Sequence, residues 1–116
     1  MPQRRLYDEI VKKTLAGSSP FYVTGRPVEK GWVRYITSAH CIDTTQSTCG
    51  VAFGKIVGKN FHYMEAEDSA KADIGFFTRN THHFIADEQP TFYLIDGAAA
   101  DNVEAYLEGY EVELED

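Results

Sequence analysis

Between residues 20 and 96, β-branched and aromatic positions come in short bursts. The bursts are "FYVTG" (21–25), "WVRYITSAH" (32–40), "CGVAFGKIVG" (49–58) and "NFHYMEA" (60–66), parted by "RPVEKG", "IDTTQST" and the tight "VGKN". Such residues pack well on a pleated surface, and turn formers bound each run, so the bursts predict strands. "DIGFFTR" (73–79) and "TFYLID" (91–96) add two more. Six short strands in this span predict a strongly curved sheet or small barrel. Gly50, Gly54 and Gly58 suit bends or bulges in it.

The two ends carry a different period. In "QRRLYDEIVKKTLA" (3–16), Leu6, Ile10, Val11 and Leu15 fall on one side of a 3.6-residue helix, and "GSSP" follows with Gly17 placed to end it. In "GAAADNVEAYLEG" (97–109), Val103, Tyr106 and Leu107 share a helical face and Gly109 can terminate it. The tail "YEVELED" alternates Tyr110, Val112 and Leu114 with Glu111, Glu113 and Glu115, which predicts a strand with one wet, negative face. The expected fold is therefore α+β: a small, curved, mostly antiparallel sheet or partly open barrel with N-terminal and C-terminal helices. Residues 1–116 are expected to form a single β-rich domain.

Composition agrees with a closed core. Apolar residues make up 43% of the 116, with seven Tyr, seven Phe and one Trp, so the low-hydrophobicity signature of disorder is absent. No run approaches 18 consecutive apolar residues, and no membrane span is expected. The start "MPQRRLYDEIVKK" lacks an apolar signal region, which places the expected location in the cytoplasm or a host-cell cytoplasm. Cys41 and Cys49 are close enough in sequence to meet across a loop, and their bonding depends on the compartment.

Charge changes the picture of partners. Residues 1–79 hold 11 Lys/Arg against 8 Asp/Glu, a net +3, whereas residues 80–116 hold 10 Asp/Glu and no Lys/Arg, a net −10. An acidic last third speaks against binding a nucleic-acid backbone, which needs phosphate-neutralising cations. It can face a basic protein surface.

The most reactive-looking stretch is "YITSAHCID" (35–43). His40 has the right chemistry for a general base near neutral pH, and a carboxylate that fixes its tautomer would strengthen it. Asp43 is near in sequence but three residues on, pointing into the loop. Asp73 opens "DIGFF" and can be brought back across a sheet. Equally, His40 can be a structural histidine at a strand end and Asp73 a turn residue or cap.

"YITSAHC" and "KADIGFF" resemble the histidine and aspartate segments of chymotrypsin-like serine proteases. The resemblance implies that residues 20–96 form that family's first six-stranded barrel, with His40 as catalytic histidine and Asp73 as its aspartate. The family's nucleophile sits in a second barrel within G-D-S-G-G. None of Ser18, Ser19, Ser38, Ser47 or Ser69 has that context, and 43 residues after Asp73 are too few for another barrel. An oxyanion hole would also be missing. "STCG" around Cys49 lies on the first-barrel side, where the family does not place a nucleophile. What the resemblance supports is an incomplete or degenerate protease domain.

Other chemistry has less to stand on. His40, Cys41, Cys49, His62, His82 and His83 are zinc-type ligands, but their spacing matches no strong pattern, and no metal or cofactor is expected. "EAED" (65–68) and "ADE" (86–88) offer carboxylates in expected turns. "GKIVGKN" lacks the phosphate-loop pattern and reads as a hairpin.

The favoured function is a non-catalytic, acidic protein-interaction role, as an accessory or inhibitory protein of the kind phages and viruses encode. Glu104, Glu108, Glu111, Tyr106 and Tyr110 are the expected binding residues, with Glu113 and Glu115 nearby, and a basic protein as partner. Self-association is a second expectation. The competing functions are the degenerate protease and a small-molecule-binding or hydrolytic domain with a cavity in the curved sheet.

Overall fold

The computed structural model describes residues 2–71 and 74–114. Nine strands follow one another, and no helix occurs among the described residues: β1 (Arg4–Thr14), β2 (Tyr22–Thr24), β3 (Trp32–Asp43), β4 (Thr48–Val57), β5 (Asn60–Lys71), β6 (Phe76–Thr78), β7 (His82–Phe84), β8 (Gln89–Leu94) and β9 (Asn102–Glu113). They form two antiparallel sheets. The five-stranded sheet runs β1-β9-β3-β6, with β7 also paired to β3, and the four-stranded sheet runs β2-β8-β4-β5. The α+β expectation is thus corrected to an all-β sandwich, and the barrel implied by the protease resemblance is replaced by two facing sheets.

The N-terminal helix is absent because β9 offers β1 a full ladder. All eleven residues of β1 pair in register, from Arg4 with Val112 to Thr14 with Asn102. Period-2 geometry then sends Tyr7 inward, where it is 3% exposed, and leaves Leu6 and Ile10 outside at 92% and 63%. Two of the four residues assigned to the helix's apolar face are therefore exposed.

The C-terminal helix and the final strand are one strand, β9. Val103, Ala105 and Leu107 are buried and alternate with half-exposed Glu104 and Tyr106. Residues 97–101 form the preceding loop. The wet negative face of the tail also needs correction, since Glu111 points between the sheets and is 4% exposed. Glu115 lies outside the described residues. Glu65–Asp68, expected in a turn, belong to β5, and β7 forms within what reads as a loop.

The core fills the space between the sheets. Phe53 of β4 lies 4.9 Å from Phe92, 6.1 Å from Phe84 and 6.5 Å from Phe76, ring centre to ring centre. Val23, Ile36, Val51, Leu94, Val103 and Leu107 surround these rings, all nearly inaccessible. The cavity anticipated inside a curved sheet is occupied by packed side chains.

Candidate functional site

His40 sits near the outer edge of the five-stranded sheet, opposite Phe77 on β6 and Tyr106 on β9. Its Nε2 is 2.7 Å from the Ile74 carbonyl, to which the ring N–H donates. Its ring stacks on Tyr106 and meets the edge relation to Phe77. The nitrogen a protease would aim at its nucleophile is therefore tied to a backbone oxygen. Asp73 lies outside the described residues. With a sandwich in place of the barrel, the protease resemblance does not hold.

The cysteines are separate and buried, Cys41 on β3 and Cys49 on β4, and neither is in a disulfide. Burial pushes the Cys41 thiol far above its ordinary range. Burial, with Asp43 nearby, raises Cys49 to about 11. Thiolate chemistry is suppressed at both. Among the described residues, no three His, Cys, Asp or Glu side chains gather into a metal-binding group.

Three polar clusters close on themselves. At one end, Glu111 accepts from Arg5 Nε at 2.7 Å and from Arg34 Nε at 2.9 Å, while Arg34 also covers the Tyr7 ring and donates to the Arg26 carbonyl. Burial alone would raise the Glu111 pKa; the two guanidiniums outweigh it and hold it below the ordinary value. At the side, Glu65 accepts from Thr78 at 2.8 Å, Asn80 at 3.0 Å and His82 at 2.5 Å, joining β5 to β6 and β7. At the other end, Asp43 and Asp101 meet below the β3–β4 and β8–β9 loops, each 4% exposed. These partners are mutually satisfied ties of the fold, with the Asp43 Oδ2 as their one orphan.

The outer face of β1 and β9 is different. Its register sets Leu6 opposite Tyr110, Asp8 opposite Glu108, Ile10 opposite Tyr106 and Lys12 opposite Glu104. Successive rungs on one face lie about 7 Å apart. Tyr110 stacks on Tyr35 of β3 at 5.1 Å, and the Arg4 guanidinium lies 3.9 Å from the Tyr110 ring centre. Leu6, Asp8, Ile10, Tyr106, Glu108 and Tyr110, with Arg4 at one end, line an open groove of about 520 Å³. Lys12 pairs with Glu104 at 3.5 Å, but Asp8 and Glu108 have no ion-pair partner among the described residues.

The sequence-predicted residues divide by parity. Glu104, Tyr106, Glu108 and Tyr110 share this outer face, and Glu111, one residue on, is turned inward. Leu6, Asp8 and Ile10 complete the face from the other end of the chain. Their positions carry no period-2 signal: residues 6–13 run as apolar and polar pairs, Leu-Tyr, Asp-Glu, Ile-Val and Lys-Lys, which fits a helical period.

No family model matches the chain, and no curated protein matches it. One solved structure that does is described as the Drosophila NLP-core, said to provide insight into pentamer formation and histone binding. It shares 15% identity, with 94% of this chain and 100% of that chain covered, at a TM-score of 0.42. The expected cytoplasmic location is not retained. No helix is long and apolar enough to cross a membrane among the described residues.

Proposed function

We propose that this chain is a non-catalytic protein-interaction domain that docks a basic partner on the outer face of β1 and β9. The observation that carries this is the exposure of Leu6 and Ile10 beside two tyrosines on an edge strand paired to β9 along its whole length. Isolated exposed aliphatic residues are ordinary, but here they alternate with aromatic and acidic residues in one continuous groove. An apolar floor with a carboxylate rim suits a protein surface with basic residues. Glu104, Tyr106, Glu108 and Tyr110 belong to that contact. Glu111 is left to its structural role.

Leu6 and Ile10 contribute little to the core, so Leu6→Ser with Ile10→Ser tests the reading cleanly. The double variant is expected to melt near the parent temperature. Crosslinking in cell extract should recover basic proteins at residues 4–12 and 104–110 of the parent chain, and lose them in the variant. Equal recovery by both would remove this face from the proposed function.

A further inference from the structure

We infer that the middle of this groove is a receptor for one arginine side chain of the partner, an inference that rests on the interaction role just proposed. Asp8 and Glu108 stand directly opposite each other on neighbouring strands. Cross-strand neighbours of this kind have Cβ atoms about 4.5–5.5 Å apart, and like charges so placed repel. Both carboxylates are exposed and neither is ion-paired among the described residues, whereas Arg5, Lys12, Arg26, Arg34 and Lys55 each pair with a carboxylate. A cation supplied from outside relieves the repulsion.

The neighbouring rungs define what kind of cation fits. Leu6 with Tyr110 lies on one side of the carboxylates and Ile10 with Tyr106 on the other. An entering side chain therefore needs an apolar stem to cover the aliphatic residues and a charged head for the acids. Arginine offers five donors in a plane, enough to bridge two carboxylates, and its face packs on aromatic rings. Tyr110 already accepts a guanidinium in this manner, from the chain's own Arg4. Lysine brings a point charge with three donors and serves the pair less well.

The same charges argue against a second copy as occupant. A two-fold axis centred on the groove sets Asp8 and Glu108 against their own counterparts, four carboxylates without a cation between them. A basic segment of a different protein has no such conflict.

The test uses capped seven-residue peptides, Ala-Leu-Ala-X-Ala-Leu-Ala, with X as Arg, Lys or Gln, titrated into the full chain and followed by amide chemical shifts and calorimetry. The Arg peptide is expected to bind more tightly than Lys, and Lys more tightly than Gln, with shifts centred on Leu6, Asp8, Tyr106 and Glu108. Asp8→Asn with Glu108→Gln should weaken the Arg peptide at least about tenfold while leaving the Gln peptide unchanged. That variant should melt no lower than the parent, because it removes a repulsive pair. Equal binding of the Arg and Gln peptides, or undiminished Arg binding by the double variant, overturns the arginine receptor. So does concentration-dependent self-association abolished by Leu6→Ser, which assigns the groove to a second copy. The wider docking role fails separately, through the Leu6→Ser/Ile10→Ser comparison in extract.

Discussion

Asp43 ends β3 and Asp101 precedes β9, so two acidic side chains from distant parts of the sequence share one buried end of the sandwich. Asp43 Oδ1 accepts from the Thr45 and Gln46 amides, while Gln46 Nε2 and the Ala98 amide donate to Asp101. Asp43 Oδ2 is buried without a donor, which protonation remedies by making it a donor to Asp101. Burial first, then this contact, raises the Asp43 pKa; Asp101 is lowered because bonds from Asp43, Gln46 and Ala98 outweigh its own burial. Cys49 and Asp96 face the same region. The stabilisation from Asp43 is complete below its unfolded value and is lost as pH rises through its raised folded value. That from Asp101 is lost as pH falls through its lowered one. A single shared proton is thus the most stable state. Asp43→Asn keeps a donor that does not titrate, and should flatten the loss of melting temperature as pH rises above about 4. Identical pH profiles for the two proteins would reject the shared proton. From the sequence, Asp43 reads as a loop residue, because nothing local marks a partner 58 positions away.

At the scale of elements, one glycine sits at the irregular point of the β3–β9 ladder. β3 carries a bulge between Ile36 and Ser38, and Gly109 of β9 lies against it. A Cβ at Gly109 would run into the Tyr35 carbonyl oxygen. Gly109→Ala is therefore expected to cost about 1–3 kcal/mol, measured by denaturant unfolding, with the ladder beside Tyr35 losing amide protection first. An unchanged midpoint would show that the bulge can shift at no cost. The sequence presents Gly109 as a helix stop, since glycine marks both a helix end and a close backbone approach. The hairpin between β4 and β5 was more legible. Val57 pairs with Asn60 around Gly58 and Lys59, and Gly58 has φ of 63°, a backbone that glycine adopts freely.

Across the whole molecule, six of the eight strand connections cross between the two sheets, and aromatic side chains pack in the space between them. Phe53 touches rings from both sheets and is fully buried. Phe53→Ala should destabilise by about 3–5 kcal/mol through lost burial and an unfilled cavity, read from the unfolding midpoint. A loss below about 1 kcal/mol would mean that the sheets collapse into the gap and pack equally well. The molecule measures 48 × 26 × 21 Å, and its long axis suits strands of ten to twelve residues. Both long strands of the proposed groove, β1 and β9, come from opposite ends of the chain, so the surface exists only once the sheet has closed.

Residue pattern alone determined the central strands, because β-branched and aromatic bursts between turn formers have few other uses. It also determined the acidic balance of the last third and the candidates Tyr106, Glu108 and Tyr110. Tertiary structure alone decided the ends. Residues 4–14 carry apolar and polar residues in pairs, as a helix does, and residues 102–113 fit either period, so the choice falls to whichever partner supplies their hydrogen bonds. Each became that partner for the other. Their pairing turned Leu6 and Ile10 outward, drew Glu111 between Arg5 and Arg34, and brought Asp8 opposite Glu108. Local sequence carries propensity, whereas the face a side chain occupies depends on register with a strand a hundred residues away.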